Sequence, residues 1–148
     1  MILKRYRDAR DFLAVARQPL EVHEAANGLI IGIAARVAEQ PNLYGGTPYF
    51  ATVTDDRGLA AAAVRTPPFR VIVYGTPDAD PGPLRLILDD LVAFTAETAE
   101  GGTPGSISGV TGHSETALAF ARCWSERTGR TFRRVMNERI YELRRVSP

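Results

Sequence analysis

Residues 70–100 hold the first arrangement in the chain that could do chemistry. Arg70-Val-Ile-Val-Tyr74 leads into a loop rich in Gly, Pro and Asp, Gly75 to Pro83, and an amphipathic helix follows. Such a strand–loop–helix can hold a phosphate, because free N–H groups and the dipole at a helix N-terminus favour an anion. Gly82 would let a ligand approach the backbone, and Arg85 would add a positive charge. The loop Asp78-Ala-Asp-Pro-Gly-Pro83 works against that use. Pro81 and Pro83 have no N–H to offer, and Asp78 and Asp80 repel a phosphate.

Three weaker constellations follow. His113 and Ser114 are neighbours at a strand-to-helix junction. A Ser–His pair suggests a nucleophile and its base, but adjacent residues seldom point at each other and no acid partner is identifiable. Helix capping and a polar turn are the preferred reading. His23 stands between Glu21 and Glu24, and a solvated side chain is preferred over a metal ligand, since two scattered histidines make no ligand set. Gly109-Val-Thr-Gly112 before a helix is a weak phosphate-loop signal without a following Gly-Lys-Ser/Thr, and Glu115 would compete with an anion.

Arg127, Arg130, Arg133, Arg134, Arg139, Arg144 and Arg145 make the C-terminal region basic. A solvent-facing strand, or a surface that meets another domain, is preferred there over nucleic-acid or CoA-phosphate binding. The net charge of +1 gives no global field that calls for nucleic acid or an anionic membrane. Cys123 is the one cysteine, so neither an intramolecular disulfide nor a Cys-based metal site is expected.

These residues need a scaffold, and 148 residues with 45% hydrophobic and 24% charged side chains suit one ordinary globular domain with a real core. The N-terminus lacks the apolar core of a signal peptide. The run Gly28 to Ala35 is too short to span a bilayer. A cytoplasmic soluble protein is expected.

Along the chain, Ile2 to Tyr6 reads as a short strand, and Asp8 as the N-cap of a helix with Phe12, Val15 and Ala16 on one face. Pro19 should end that helix near Arg17. A second helix is expected from Glu21 to Glu39, burying Val22, Ala25, Ala26, Leu29, Ile33 and Val37. Within it Gly28 and Gly32 serve either a close helix–helix or dimer contact or, the preferred reading, tight packing on the sheet. Tyr49–Thr54 and Leu59–Thr66 flank Asp55-Asp-Arg-Gly58, a hairpin signal with Gly where φ > 0 is needed.

Ala60 to Ala63 are weak strand formers, which implies a helix lying close above them. Phe69 to Tyr74 reads as a strand buried on both faces. Pro83 to Thr98 is a helix with Leu84, Ile87, Leu88, Leu91, Phe94 and Thr95 inward and Asp89, Asp90 and Glu97 in water. Ser106 to Thr111 is a fifth strand. Ser114 then caps a helix with Ala117, Phe120, Ala121 and Trp124 inward, which ends at Gly129. Thr131 to Val146 is extended, as one strand or a hairpin around Asn137-Glu138.

This order resembles the GNAT superfamily of acyl-CoA-dependent N-acetyltransferases, and in particular the N-terminal lobe of its two-domain bacterial members. The residues that carry the resemblance are Tyr49-Phe-Ala-Thr-Val-Thr-Asp-Asp-Arg-Gly58 with the next strand, Arg70 to Tyr74, Ile107-Ser-Gly-Val-Thr-Gly with its helix through Trp124, and Ile140-Tyr-Glu-Leu143. The resemblance implies an α/β (α+β) fold, a mixed and mostly antiparallel sheet with helices on both faces. It also implies that Arg70–Tyr74 splays from Ser106–Thr111, that Val73 and Tyr74 pair with the pantetheine of acetyl-CoA, that Gly82 and Arg85 meet its pyrophosphate, and that Ser114 belongs to the same cofactor-binding set.

The chain departs from the family pattern at the chemistry. Asp78 to Pro83 replaces the Gln/Arg-x-x-Gly-x-Gly/Ala loop. Ser114 stands where an Asn is usual, and Ala121 or Ser125 stands where a Tyr would protonate the leaving thiolate. No Glu lies in Tyr49–Thr54 to act as a base. The expectation is therefore a degenerate GNAT-like lobe that supports a second, catalytic domain outside this chain, with a second GNAT domain or a homo-oligomer as partner. The alternative is a stand-alone enzyme moving an acetyl group from acetyl-CoA to an amine. Acetyl-CoA is the only cofactor implied, with no metal, nucleic acid or membrane.

Overall fold

The computed structural model describes residues 1–22, 24–43, 46–67, 69–76, 80–98, 107–136 and 140–143, with the backbone alone at 24–26, 135–136 and 140–143. Its elements in chain order are β1 (Ile2–Tyr6), α1 (Ala9–Glu21), α2 (Glu24–Glu39), β2 (Tyr49–Asp55), β3 (Gly58–Arg65), β4 (Val71–Gly75), α3 (Gly82–Thr98), β5 (Gly109–Thr111), α4 (Ser114–Thr128), β6 (Phe132–Met136) and β7 (Ile140–Leu143). The strands form one mixed sheet in the order β1-β2-β3-β4-β5-β7-β6. Every neighbouring pair is antiparallel except β4 and β5. This is an α+β fold.

Side chains alternate across a strand, so one sheet feeds two cores. Tyr49, Ala51, Val53, Ala61, Ala63, Val71, Val73 and Val110 face α3 and α4. Phe50, Ala62, Val64 and Ile72 face α1 and α2. Ala61, Ala62 and Ala63 are fully buried, and their small size lets helices close on both faces of β3. The inward face of α3 falls where the spacing puts it: Leu84, Ile87, Leu88, Leu91, Phe94 and Thr95 are all buried. Burying each of the larger apolar side chains stabilises the fold by roughly 1.5–3 kcal/mol. Ala117, Phe120, Ala121 and Trp124 of α4 are buried as their spacing implies, and Gly129 closes the helix at φ 69°.

Several boundaries differ from the expectation, each for a local reason. α1 does not stop near Arg17 but runs to Glu21 with Pro19 inside it. Pro19 removes only one N–H close to the helix end, and fully buried Leu20 holds the last turn against the sheet. The amide of Asn27, itself buried, donates to the Leu20 carbonyl at 3.2 Å and satisfies that end. α2 therefore begins at Glu24, and His23 lies outside the described residues.

The buried stripe of α2 is also rotated. Asn27, Ile30, Ile31, Ala34 and Val37 are buried, whereas Val22 and Leu29 are exposed and Ile33 is half-buried. α2 is apolar almost all round, so its period left the orientation open and contact with α1 decided it. Gly28 and Gly32 are exposed, and nothing lies within 4 Å of a Cβ built at either, so they do not pack on the sheet.

β4 begins at Val71, with Phe69 and Arg70 exposed. β5 begins only at Gly109, although Ile107 is buried, and Ser106 lies outside the described residues. The C-terminal extension is two antiparallel strands, with Met136 opposite Ile140 and Phe132 opposite Leu143. Gly58, at φ 112°, turns the β2–β3 hairpin, and the Asp55 carboxylate accepts from the Arg57 N–H at 2.8 Å.

Asp90 does not face water as expected. Arg5 of β1 grips its carboxylate with two donors at 2.9 and 3.1 Å, and the Tyr49 hydroxyl donates to it at 2.7 Å. Arg5 also reaches Glu97 at 2.8 Å and lies 5.0 Å from the Phe94 ring centre. The carboxylates raise the Arg5 pKa, Asp90 most, and burial followed by Asp90 raises that of Tyr49. This group fixes the middle of α3 across β1 and β2, and so sets where the start of α3 falls.

Candidate functional site

Among the described residues the sheet has one parallel junction, and two helices start there. β4 and β5 share two registered positions, Val71 with Val110 and Ile72 with Thr111, and the described pairing stops there. β4 continues to Gly75 and leads through the loop to α3; β5 leads through Gly112 to α4. Gly75, Leu84 at the start of α3 and Thr116 at the start of α4 converge. A Cβ built at Gly75 would sit 3.2 Å from the Thr116 methyl and 3.8 Å from a Leu84 methyl. Val73, Tyr74, Gly82 and Ser114 therefore all belong to elements that end or begin around this mouth.

The two β4 residues face opposite ways. Val73 is buried toward α3 and α4, while half-buried Tyr74 packs toward α1 and α2, where burial raises its pKa. On the β5 side, a Cβ added at Gly112 would lie 2.6 Å from the Val73 carbonyl oxygen and 3.3 Å from a Val73 methyl. Real Cβ atoms are essentially never that close to a neighbour. The backbone of Gly112 thus approaches the Val73 carbonyl so closely that only glycine fits there.

The start of α3 is covered. The Asp80 carboxylate accepts the Gly82 N–H at 2.9 Å, so the first donor of the helix is already taken by an anion of the chain. Pro83 has no N–H, and the Arg85 N–H closes the first helical turn on the Pro81 carbonyl at 2.9 Å. Of the four N–H positions that a helix start can present, the one at Leu84 is left. A Cβ built at Gly82 would lie 3.1 Å from the terminal methyl of Met1 and 3.2 Å from the Asp80 carboxylate. Gly82 thus makes room for Met1 and Asp80. The Asp80 cap was legible in the sequence, because an Asp just before Pro and Gly at a helix start is a capping signal as well as a phosphate repellent. Met1 had no such signal.

Arg85 points elsewhere. Its guanidinium lies 3.4 Å from Glu126 of α4, across a groove of about 310 Å³ between α3 and α4 that Leu88, Asp89, Cys123 and Arg127 also line. Asp89 and Arg127 bridge the same two helices at 3.3 Å in the opposite sense. Burial raises the pKa of the Cys123 thiol, with Arg85 opposing, so it is not an activated thiolate. Arg85 therefore takes part in a helix–helix contact and does not reach Asp80 or Gly82 by any described bond.

Ser114 is the first residue of α4 and not its cap. His113 holds the N-cap position without a side-chain bond, and its carbonyl accepts the Ala117 N–H at 2.8 Å. Its imidazole is exposed and no described contact joins it to Ser114. Further along α4, Ala121 is fully buried, and the Ser125 hydroxyl donates to the Arg130 carbonyl at 2.6 Å. Neither offers a proton to the mouth between β4 and β5.

Among the described residues no group of three His, Cys, Asp or Glu could hold a metal ion, and no helix is long and apolar enough to cross a membrane. No protein-family model, curated protein or solved structure matches this chain.

Proposed function

We propose that the chain is a GNAT-like lobe that does not bind acetyl-CoA, and that it supports an acetyltransferase domain by packing against it. The observation that carries this reading is the Asp80 carboxylate on the Gly82 N–H, an internal anion at the point where the resemblance would put the cofactor pyrophosphate. The close approach of Gly112 to the Val73 carbonyl supports it from the other side of the mouth. The parallel junction with two registered positions, and a helix starting from each of its strands, supports the GNAT-like part of the reading.

Acetyl transfer to an amine needs the amine lone pair to reach the thioester carbonyl and a proton to reach the departing thiolate. In this reading the first step lacks a slot and the second lacks an acid. The test is thiol release from acetyl-CoA in the presence of a panel of primary amines and N-terminal peptides. A rate equal to the protein-free background is expected. Turnover that saturates with acetyl-CoA would establish the stand-alone enzyme instead.

A further inference from the structure

The sheet ends at β1 on one side and at β6 on the other, and the two edges are built differently. The pairing of β6 with β7 shifts register between Arg134 and Met136, a bulge that bends that edge. β1 has no such device. Its five residues pair with β2 in one unbroken register, without a proline or a bulge. Nothing among the described residues pairs with its outer side. The main-chain N–H and C=O groups along such an edge are a template for a further extended segment. Met1 and Ile2, 62% and 69% exposed, add apolar surface at one end of it.

Charge decides which segment fits. Arg5 is held by Asp90 and Glu97 of α3. Lys4 and Arg7 are exposed, and no carboxylate among the described residues pairs with either; the Lys4 ammonium lies 5.2 Å from the centre of the Tyr6 ring. A second copy of the chain is a poor occupant. Centred on its middle residue, β1 laid antiparallel on β1 sets Lys4 opposite Lys4, and β6 would bring Arg133 and Arg134 to the same edge. Like charges directly opposite destabilise a strand pair. We propose that the outer edge of β1 takes up an extended acidic segment of a partner protein as a further strand of the sheet, its carboxylates opposite Lys4 and near Arg7. Main-chain hydrogen bonds supply the affinity, and the cations that keep copies of the chain apart select the partner. The proposal does not use the mouth between β4 and β5, and stands whether or not acetyl-CoA binds.

The peptide acetyl-Glu-Val-Glu-Val-Glu-Val-amide, titrated into the isotope-labelled whole chain and followed by the amide resonances, tests it. Saturable shifts centred on Ile2–Tyr6 are expected below millimolar peptide, weakening as salt is added. The corresponding Lys-Val peptide should not bind. Lys4→Glu, at an exposed side chain, should keep the fold, weaken the Glu-Val peptide by about fivefold or more, and admit the Lys-Val peptide in its place. Methylating the amide nitrogens of the Glu-Val peptide should abolish binding, because strand addition needs those N–H groups. No shifts at millimolar peptide would overturn the proposal, as would shifts centred on β6 or equal binding of the two peptides. So would equal binding of a short deoxythymidine oligonucleotide, which brings the charge without the main chain of a strand.

Discussion

Asp8 and Asp80 make the same contact at the starts of two helices. Each carboxylate accepts the N–H two residues further on at 2.9 Å, that of Arg10 in the first turn of α1 and that of Gly82, the first residue of α3. Their surroundings differ. The start of α1 is on the open surface, where the Arg10 side chain folds back on the Asp8 carboxylate at 3.0 and 3.3 Å. The start of α3 is flanked by two prolines and by the methyl of Met1, and it lies at the mouth between β4 and β5. One is an ordinary surface cap. The other is an exposed carboxylate one position before the cap residue Pro81, on the first N–H of a helix start that would otherwise suit a phosphate. The difference shows that a helix N-terminus is an anion site only while its N–H groups are free.

The sharpest way to break this comparison is at the mouth itself. Gly112→Ala should destabilise the fold by on the order of 1–3 kcal/mol, because its Cβ must push the Val73 carbonyl away. Urea unfolding measures this; a neutral result would mean that the mouth has slack enough to open. Tyr49→Phe, which removes a hydroxyl from Asp90 and leaves Arg5 in place, should cost about 1–2 kcal/mol by the same assay. That loss would show that α3 is held at its middle, leaving its start free to be a simple cap.

Asp80→Ala should then cost about 1 kcal/mol, as the loss of a hydrogen bond at a helix start does, and Asp8→Ala should lower the urea midpoint too. A markedly larger loss at Asp80 would separate the two helix starts. Asp8 should also lend the stability a pH dependence. Its pKa is lowered by the hydrogen bonds of the Arg10 side chain and backbone. A folded-state value below the unfolded one gives stability that is present above the ordinary carboxylate range and lost as pH falls through the lowered value. Acid titration of Asp8→Asn should therefore show a shallower loss below about pH 4 than the parent chain. The smallest effect belongs to Arg85→Glu. Its partner Glu126 is an exposed residue, and such pairs contribute about 0–1 kcal/mol.

The elements were legible where two signals agreed. The Asp55–Gly58 hairpin, the inward face of α3 and the end of α4 at Gly129 each joined a local pattern to a turn or capping residue. They were not legible where one signal stood alone. Pro19 predicted an end to α1 that the burial of Leu20 overrode, and α2 was too uniformly apolar for its period to tell Ile30 from Leu29. At the candidate site the chemistry of the loop was readable, since prolines lack N–H groups and aspartates carry charge. The orientation of Arg85 toward Glu126, the close approach of Gly112 to Val73 and that of Met1 to Gly82 were not. These depend on how separate elements meet, which no local spacing encodes.

Calorimetric titration of acetyl-CoA into the chain tests the central claim most directly. With the Gly82 N–H held by Asp80 and Gly112 packed closely against the Val73 carbonyl, no binding heat is expected up to millimolar ligand. Saturable binding at micromolar concentration, weakened by Arg85→Glu, would contradict the account.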